Sequence, residues 1–434
     1  MAMNVEIVTR EIVKPSSPTP HHLRNFKLSF LDQIAPPSYT SIIFFYDSKQ
    51  DDLNGDEFER SSSLKKSLAE TLSRFYPLAG TLVYEDFSID CNDEGVDYIQ
   101  ARAPCKLSEV VEKPSGKVLN MLLPFDPYTN FTELGKKVLL AVQYNIFECG
   151  GVAVGVIFLH KIVDGTSVTT IVNAWAGTSR GAIEIINPSF DAAIHFPPRD
   201  KPGFMMAQSR LEEKIVTRRF VFEKSSIDSL KKEASVAFGP KERGPSRVEA
   251  VSTFIWSRFM AIARANSAKE TKIFRANHAV NLRERMVPKL SEHSIGNLWS
   301  VARTASPVEA EKDYPSLLRQ VRNAIMEVND DYVKKLQEGR LDFLKNASEK
   351  QSNGEIEFCY FTSWCRFPVY EADFGWGKPT WVCSPSRPCK NVVVMMSTKD
   401  GDGIETWVNM TEEDMAIFQH DPELLSFATS AAGE

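Results

Sequence analysis

The segment Phe158-Leu159-His160-Lys161-Ile162-Val163-Asp164-Gly165-Thr166 places a histidine where an apolar run ends and an aspartate four residues later, beside a glycine. An imidazole titrates near neutrality, so His160 can take a proton from a hydroxyl and return it to a leaving group. A strand end holds such a ring on a rigid element and leaves it reachable. Asp164 has two possible roles. It can orient the imidazole through Nδ1, as in a catalytic triad, or it can pair with an arginine and hold the turn. The chain must change direction between the two residues, which favours the second role. An H-x-x-x-D spacing alone recurs by chance. The other histidines compete weakly. His21 and His22 lie beside a Pro-rich terminus, His195 precedes Phe196-Pro197-Pro198, His293 and His420 have polar neighbours, and His278 reads as a structural strand residue. No pair has zincin spacing and no Cys/His cluster suggests a metal.

A second feature lies far downstream. In Asp373-Phe374-Gly375-Trp376-Gly377 two glycines frame a tryptophan, which reads mainly as a structural turn with an aromatic plug. A buried Asp373 would need a cationic partner, because an unpaired buried carboxylate is costly. Arg283, in Asn281-Leu282-Arg283-Glu284-Arg285, is the expected partner.

The elements that must position these groups are legible in part. Leu64, Leu68, Leu72 and Phe75 recur at helical spacing among charged residues, so Ser61 to Phe75 reads as an amphipathic helix that Tyr76-Pro77-Leu78-Ala79-Gly80 terminates. Val138 to Phe147 and Val152 to Leu159 read as a buried hairpin turned by Gly150-Gly151, with a helix following from Thr166. Asn187 to Arg210, rich in proline, is the best linker. Beyond it come a strand at Arg219 to Phe222, a long apolar helix from Arg247 to Arg264, a strand at Ala276 to Leu282 and a helical region from Asp313 to Leu336. Strands at Asn391 to Ser397 and Ile404 to Val408 flank the turn Asp400-Gly401-Asp402-Gly403. Irregular alternation of strands and helices predicts mixed sheets in an α/β arrangement.

The chain has 434 residues, which predicts two domains of about 200 residues each. A net charge of -6 without a long Lys/Arg run argues against nucleic acid and anionic membranes as partners. No apolar run approaches the ~20 residues of a membrane helix, and the N-terminus carries no signal-peptide pattern. Seven dispersed cysteines without a CxxC pair fit reduced thiols in the cytoplasm. Asn130-Phe131-Thr132 is a glycosylation sequon in form only.

Taken together, His160-Lys161-Ile162-Val163-Asp164-Gly165 and Asp373-Phe374-Gly375-Trp376-Gly377 resemble the paired signature of the plant BAHD acyltransferases. The resemblance covers the whole chain. Tyr76-Pro77-Leu78-Ala79-Gly80, Phe147-Glu148-Cys149-Gly150-Gly151, Ala279-Val280-Asn281-Leu282-Arg283, Gly296-Asn297 and Ser363-Trp364-Cys365-Arg366 also match. The opening Pro15-Ser16-Ser17-Pro18-Thr19-Pro20 and Leu31-Asp32-Gln33 are similar to a branch whose members mostly acetylate alkaloid or terpenoid alcohols. The resemblance implies two similar-sized, chloramphenicol-acetyltransferase-like domains with mixed sheets flanked by helices. It places the active-site channel at their interface. The implied division is 1–190, a crossover linker at 191–215 and 216–434, with a segment near 356–382 crossing back to complete the first domain. It also implies that Asp164 pairs with an arginine and that the DFGWG loop lies outside the active site.

The expected reaction is transfer of an acyl group from acetyl-CoA, as co-substrate, to a small-molecule alcohol, with His160 as general base and Asp164, Asp373 and Arg283 as structural support. No covalent acyl-enzyme, metal or permanently bound cofactor is expected, and the chain is expected to act as a cytoplasmic monomer. Ser252, Thr253 and Arg247, early in a helix, could meet the CoA phosphates, and equally read as ordinary polar residues there. Thr362, Ser363 and Trp381 are candidates to line the pocket or donate to the oxyanion. The alternatives are a larger aliphatic or aromatic acyl-CoA donor, a cysteine-dependent enzyme using Cys149 or Cys365, and a non-catalytic small-molecule binding protein on the same scaffold.

Overall fold

The computed structural model describes residues 4–48, 57–83, 85–127, 138–200, 214–265, 273–307, 313–339, 356–385 and 389–431. Much of the expected linker (201–213) and the sequon lie outside the described residues. Two large mixed sheets organise the chain. The first has six strands in the order Glu6–Val13, Val96–Ala103, Leu140–Phe147, Val152–Leu159, Tyr39–Tyr46 and Trp381–Cys383. Its central strands are buried at every position, so both faces are covered and the sequences read as continuous apolar runs. The helices Glu57–Arg74 and Gly165–Ser179 pack on it; Leu64, Leu68 and Leu72 are buried and the Trp175 indole N–H donates to the Leu64 carbonyl at 3.1 Å.

The second sheet has seven strands in the order Trp299–Pro307, Ile273–Asn281, Ile356–Ser363, Val392–Ser397, Ile404–Thr411, Ile215–Phe222 and Thr429–Ala431. One face carries Phe274, Phe361, Val393, Met395 and Val408 into a core with the helix Arg247–Ala265. On the other face Val394, Met396 and Trp407 join the core of the first sheet. Strand alternation thus sends neighbouring residues into two different cores.

The segment that crosses back is narrower than 356–382. Ile356–Ser363 pairs inside the seven-stranded sheet, and only Trp381–Cys383 adds to the six-stranded one, antiparallel to Tyr39–Tyr46. The helical region expected from Asp313 to Leu336 is two helices, Tyr314–Glu327 and Asp330–Gln337. Asn329 breaks it by capping the second helix, its side chain accepting from the Tyr332 N–H. Among the described residues no helix is long and apolar enough to cross a membrane.

Candidate active site

The strand Val152–Leu159 ends by delivering His160, whose main-chain N–H donates to the Ser38 carbonyl at 2.8 Å. The ring is half-buried. Its Nδ1 lies 3.0 Å from Asn297 Oδ1. The Asn297 amide is fixed by its other partners. Nδ2 donates to the His160 carbonyl at 2.7 Å and to Asp32 Oδ1 at 2.9 Å, while Oδ1 also accepts from the Trp299 indole N–H at 3.2 Å. The amide oxygen therefore faces His160, an arrangement that suits an imidazole protonated at Nδ1. The Trp299 ring lies 6.1 Å from the imidazole, centroid to centroid.

Asp164 turns away from the imidazole. It is the N-cap of the helix Gly165–Ser179, with Oδ1 accepting from the Ser167 N–H at 2.8 Å. Arg283 grips the same carboxylate at both oxygens, Nη1 to Oδ2 at 2.7 Å and Nη2 to Oδ1 at 3.1 Å. The Leu298 N–H also donates to Oδ2. Ser167 Oγ donates to the Gly296 carbonyl and accepts from its N–H, both at 3.1 Å. One aspartate thus ties the helix after His160 to the segment that carries Asn297.

The expected Arg283–Asp373 pair is not formed. Asp373 is only half-buried, and its Oδ1 accepts from the N–H groups of Gly375 (2.8 Å) and Gly377 (2.9 Å). Those two glycines adopt positive φ, 105° and 102°, which lets the loop curl its own donors onto the carboxylate. The deeply buried carboxylate was the one that required the guanidinium, and that is Asp164. Phe374 and Trp376 dock on the first sheet side, against Trp175 at 4.8 Å and Tyr46 at 5.3 Å.

The remaining expectations divide. Ser252 and Thr253 are fully enclosed, with Ser252 Oγ bonded to His278 Nε2 at 3.0 Å, so neither presents a donor to a phosphate. Arg247 keeps exposed surface and donates to the Gly401 and Gly403 carbonyls. Trp381 is buried with its N–H on the Glu405 carboxylate at 3.2 Å, which removes it as an oxyanion donor. Thr362 and Ser363 point to opposite faces. Thr362 pairs with Val394, on the face turned to the first sheet, and Ser363 with Met395, on the face under the helix. Asn281 Nδ2 reaches Thr166 Oγ1 at 3.3 Å, at the start of the helix that follows His160. Cys365 is a poor nucleophile because burial pushes its thiol pKa up.

Sequence reasoning matched Gly296-Asn297 without assigning the asparagine a role. The sequence marks it only by the glycine before it; the φ of 138° at Gly296 and the burial of Asn297 emerge from the fold.

A family model described as Transferase family matches residues 3–425. The chain is 39% identical to stemmadenine O-acetyltransferase of Catharanthus roseus over 97% of each chain. It is 38% identical to vinorine synthase of Rauvolfia serpentina, covering 99% of each. The crystal structure of vinorine synthase superposes with a TM-score of 0.86 at 37% identity and 98% coverage of both chains. F. graminearum TRI101, complexed with coenzyme A and T-2 mycotoxin, shares the fold at a TM-score of 0.73 and 16% identity over 94% of this chain and all (100%) of that one. The chain belongs to the Transferase family, that of the BAHD acyltransferases, and is an acyl-CoA-dependent O-acyltransferase.

Proposed function

We propose that this enzyme transfers acetyl from acetyl-CoA to a hydroxyl of a plant alkaloid or terpenoid, with His160 Nε2 as general base. The observation that supports the mechanism is the Nδ1 contact to Asn297 Oδ1 at 3.0 Å, which favours a proton on Nδ1 and a basic Nε2. The acetyl and acceptor classes rest on relatives named as O-acetyltransferases of stemmadenine and of limonoids.

The alcohol proton moves to Nε2 as the oxygen attacks the thioester carbonyl. The tetrahedral oxyanion collapses, the C–S bond breaks, and the imidazolium returns its proton to the CoA thiolate. Both substrates react in one complex, so no acyl-enzyme forms. General base catalysis supplies about 10²–10⁴-fold, and positioning supplies much of the rest. Thr362 is our candidate oxyanion donor, because of the face on which it lies. Arg247 is our candidate for a CoA phosphate, because it keeps exposed surface at a long helix's N-terminus.

The test is a panel of alkaloid and terpenoid alcohols incubated with acetyl-CoA, malonyl-CoA and benzoyl-CoA, scored for thiol release and for the ester by mass spectrometry. Acetyl-CoA should give the fastest acceptor-dependent release. A clear preference for benzoyl-CoA would overturn the acetyl assignment.

A further inference from the structure

Asp32 is buried at the third position of the short helix Phe30–Ile34. Its two carboxylate oxygens do different things. Oδ2 accepts from the Ser29 N–H at 3.0 Å and the Ser29 hydroxyl at 2.6 Å, closing a capping box on its own helix. Oδ1 leaves that helix altogether. It accepts from the Asn297 main-chain N–H at 2.7 Å and from Asn297 Nδ2 at 2.9 Å. A helix cap needs only the first oxygen, so the second is unexplained by local structure.

Two N–H groups, one amide NH₂ and the Ser29 hydroxyl converge on this carboxyl, a set that suits the carboxylate. Burial pushes its pKa up, and the hydrogen bonds from Ser29 and Asn297 oppose that push. Lys161, next to His160, donates to the Gln33 carbonyl at 2.6 Å and sets its ammonium against the same helix. Burial lowers the Lys161 pKa to about 8, while Asp32 pulls it up. Near His160 in the chain, Asp164 is closed off in its own pair with Arg283, apart from Asp32 and Lys161.

We infer that Asp32 is a positioning residue for His160, acting through the Asn297 amide to fix the imidazole in the Nδ1–H form. An asparagine amide can flip. Flipped, Asn297 would present Nδ2 to the Trp299 N–H, donor against donor, and its oxygen to the Asp32 carboxylate, acceptor against acceptor. Asp32 makes the second conflict the more costly, since a buried anion left facing an oxygen loses a charge-assisted bond. With the amide oriented, the ring must donate from Nδ1, and the reacting nitrogen is Nε2. The inference rests on the proposal that His160 is the base.

The test compares the wild type with Asp32→Asn, Ser29→Ala and His160→Ala. Asp32→Asn keeps the volume and can still accept from Ser29, which turns its NH₂ group toward Asn297 and leaves that amide held by the His160 carbonyl and the Trp299 N–H alone. The ¹⁵N NMR signals of His160, above its titration range, should report Nδ1–H in the wild type and a mixture of tautomers in Asp32→Asn. The kcat of Asp32→Asn should fall about 10–100-fold, with KM for acetyl-CoA within about twofold. Ser29→Ala, which removes the hydroxyl on Oδ2 and leaves both Asn297 bonds to Oδ1, should melt earlier and keep the Nδ1–H tautomer. Wild-type kcat and tautomer in Asp32→Asn would overturn the inference, as would loss of the tautomer in Ser29→Ala alone. Should Asp32→Asn fail to fold, an Nε2–H imidazole in the wild type would refute it without any variant. Near-native turnover of His160→Ala would instead remove the base assignment itself.

Discussion

Replacing Asp164 with alanine removes a carboxylate that holds two structures together. Its pair with Arg283 is deeply enclosed, the side chains being 7% and 2% exposed. Breaking such a pair from one side costs about 3–5 kcal/mol, because the remaining charge stays buried. Losing the N-cap on Ser167 costs about 1 kcal/mol more. The two losses share the oxygen Oδ1, so they do not add fully. Arg283 also keeps the Ser294 carbonyl at 2.8 Å and Asn281 Oδ1 at 3.2 Å as acceptors. The net expectation for Asp164→Ala is about 4 kcal/mol of lost stability, or on the order of 10 °C in Tm. Urea and thermal unfolding followed by tryptophan fluorescence measure it. The double variant Asp164→Asn/Arg283→Met should recover about 1 kcal/mol or more, since neither charge is then stranded. The reasoning fails if Asp164→Ala unfolds at the wild-type midpoint yet has lost kcat, because the aspartate would then act on the imidazole.

Three further outcomes follow from the same geometry. Gly296→Ala should cost about 1–3 kcal/mol and lower kcat by displacing Asn297, because φ there is 138° and an added Cβ would lie 3.0 Å from the Ala192 Cβ; melting and saturated turnover check it, and a stable, fully active variant contradicts it. Burial lowers the His278 pKa to about 4, with Glu249 pulling the other way. The unfolded chain therefore takes a proton near pH 6.5 that the folded one resists, so stability is complete above that pH and declines toward pH 4 by up to about 3 kcal/mol. His278→Gln should flatten this decline in urea titrations across the range, and an unchanged slope would show that other groups cause it. Asp373→Ala frees the N–H groups of Gly375 and Gly377 and should cost about 1–3 kcal/mol, less than Asp164→Ala by the same unfolding assay; a larger loss would mean the loop carries more of the fold than its half-exposed site suggests.

Periodicity and turn chemistry located the local elements well. The helix Glu57–Arg74 follows from Leu64, Leu68 and Leu72, and the strands Leu140–Phe147 and Val152–Leu159 from their apolar runs. His160 at a strand end was legible for the same reason. The partners were not. Asn297 and Asp32 lie 137 and 128 positions from His160 along the chain, and a hydrogen bond between such residues leaves no periodic trace. Arg283 was legible only as a candidate cation for Asp373; that it meets Asp164 instead depends on which aspartate is buried. The glycines that satisfy Asp373 locally were in plain view; that they would curl their N–H groups inward required the backbone angles. Trp381 read as a candidate oxyanion donor, but its N–H is taken by Glu405 of the other sheet, a contact that no local pattern encodes.

The most direct measurement is kcat/KM of His160→Ala for acetyl transfer, on protein whose Tm and far-UV circular dichroism match the wild type. A fall of about 10²–10⁴-fold or more is expected if Nε2 removes the hydroxyl proton. Turnover within a few-fold of the wild type would show that another group does so.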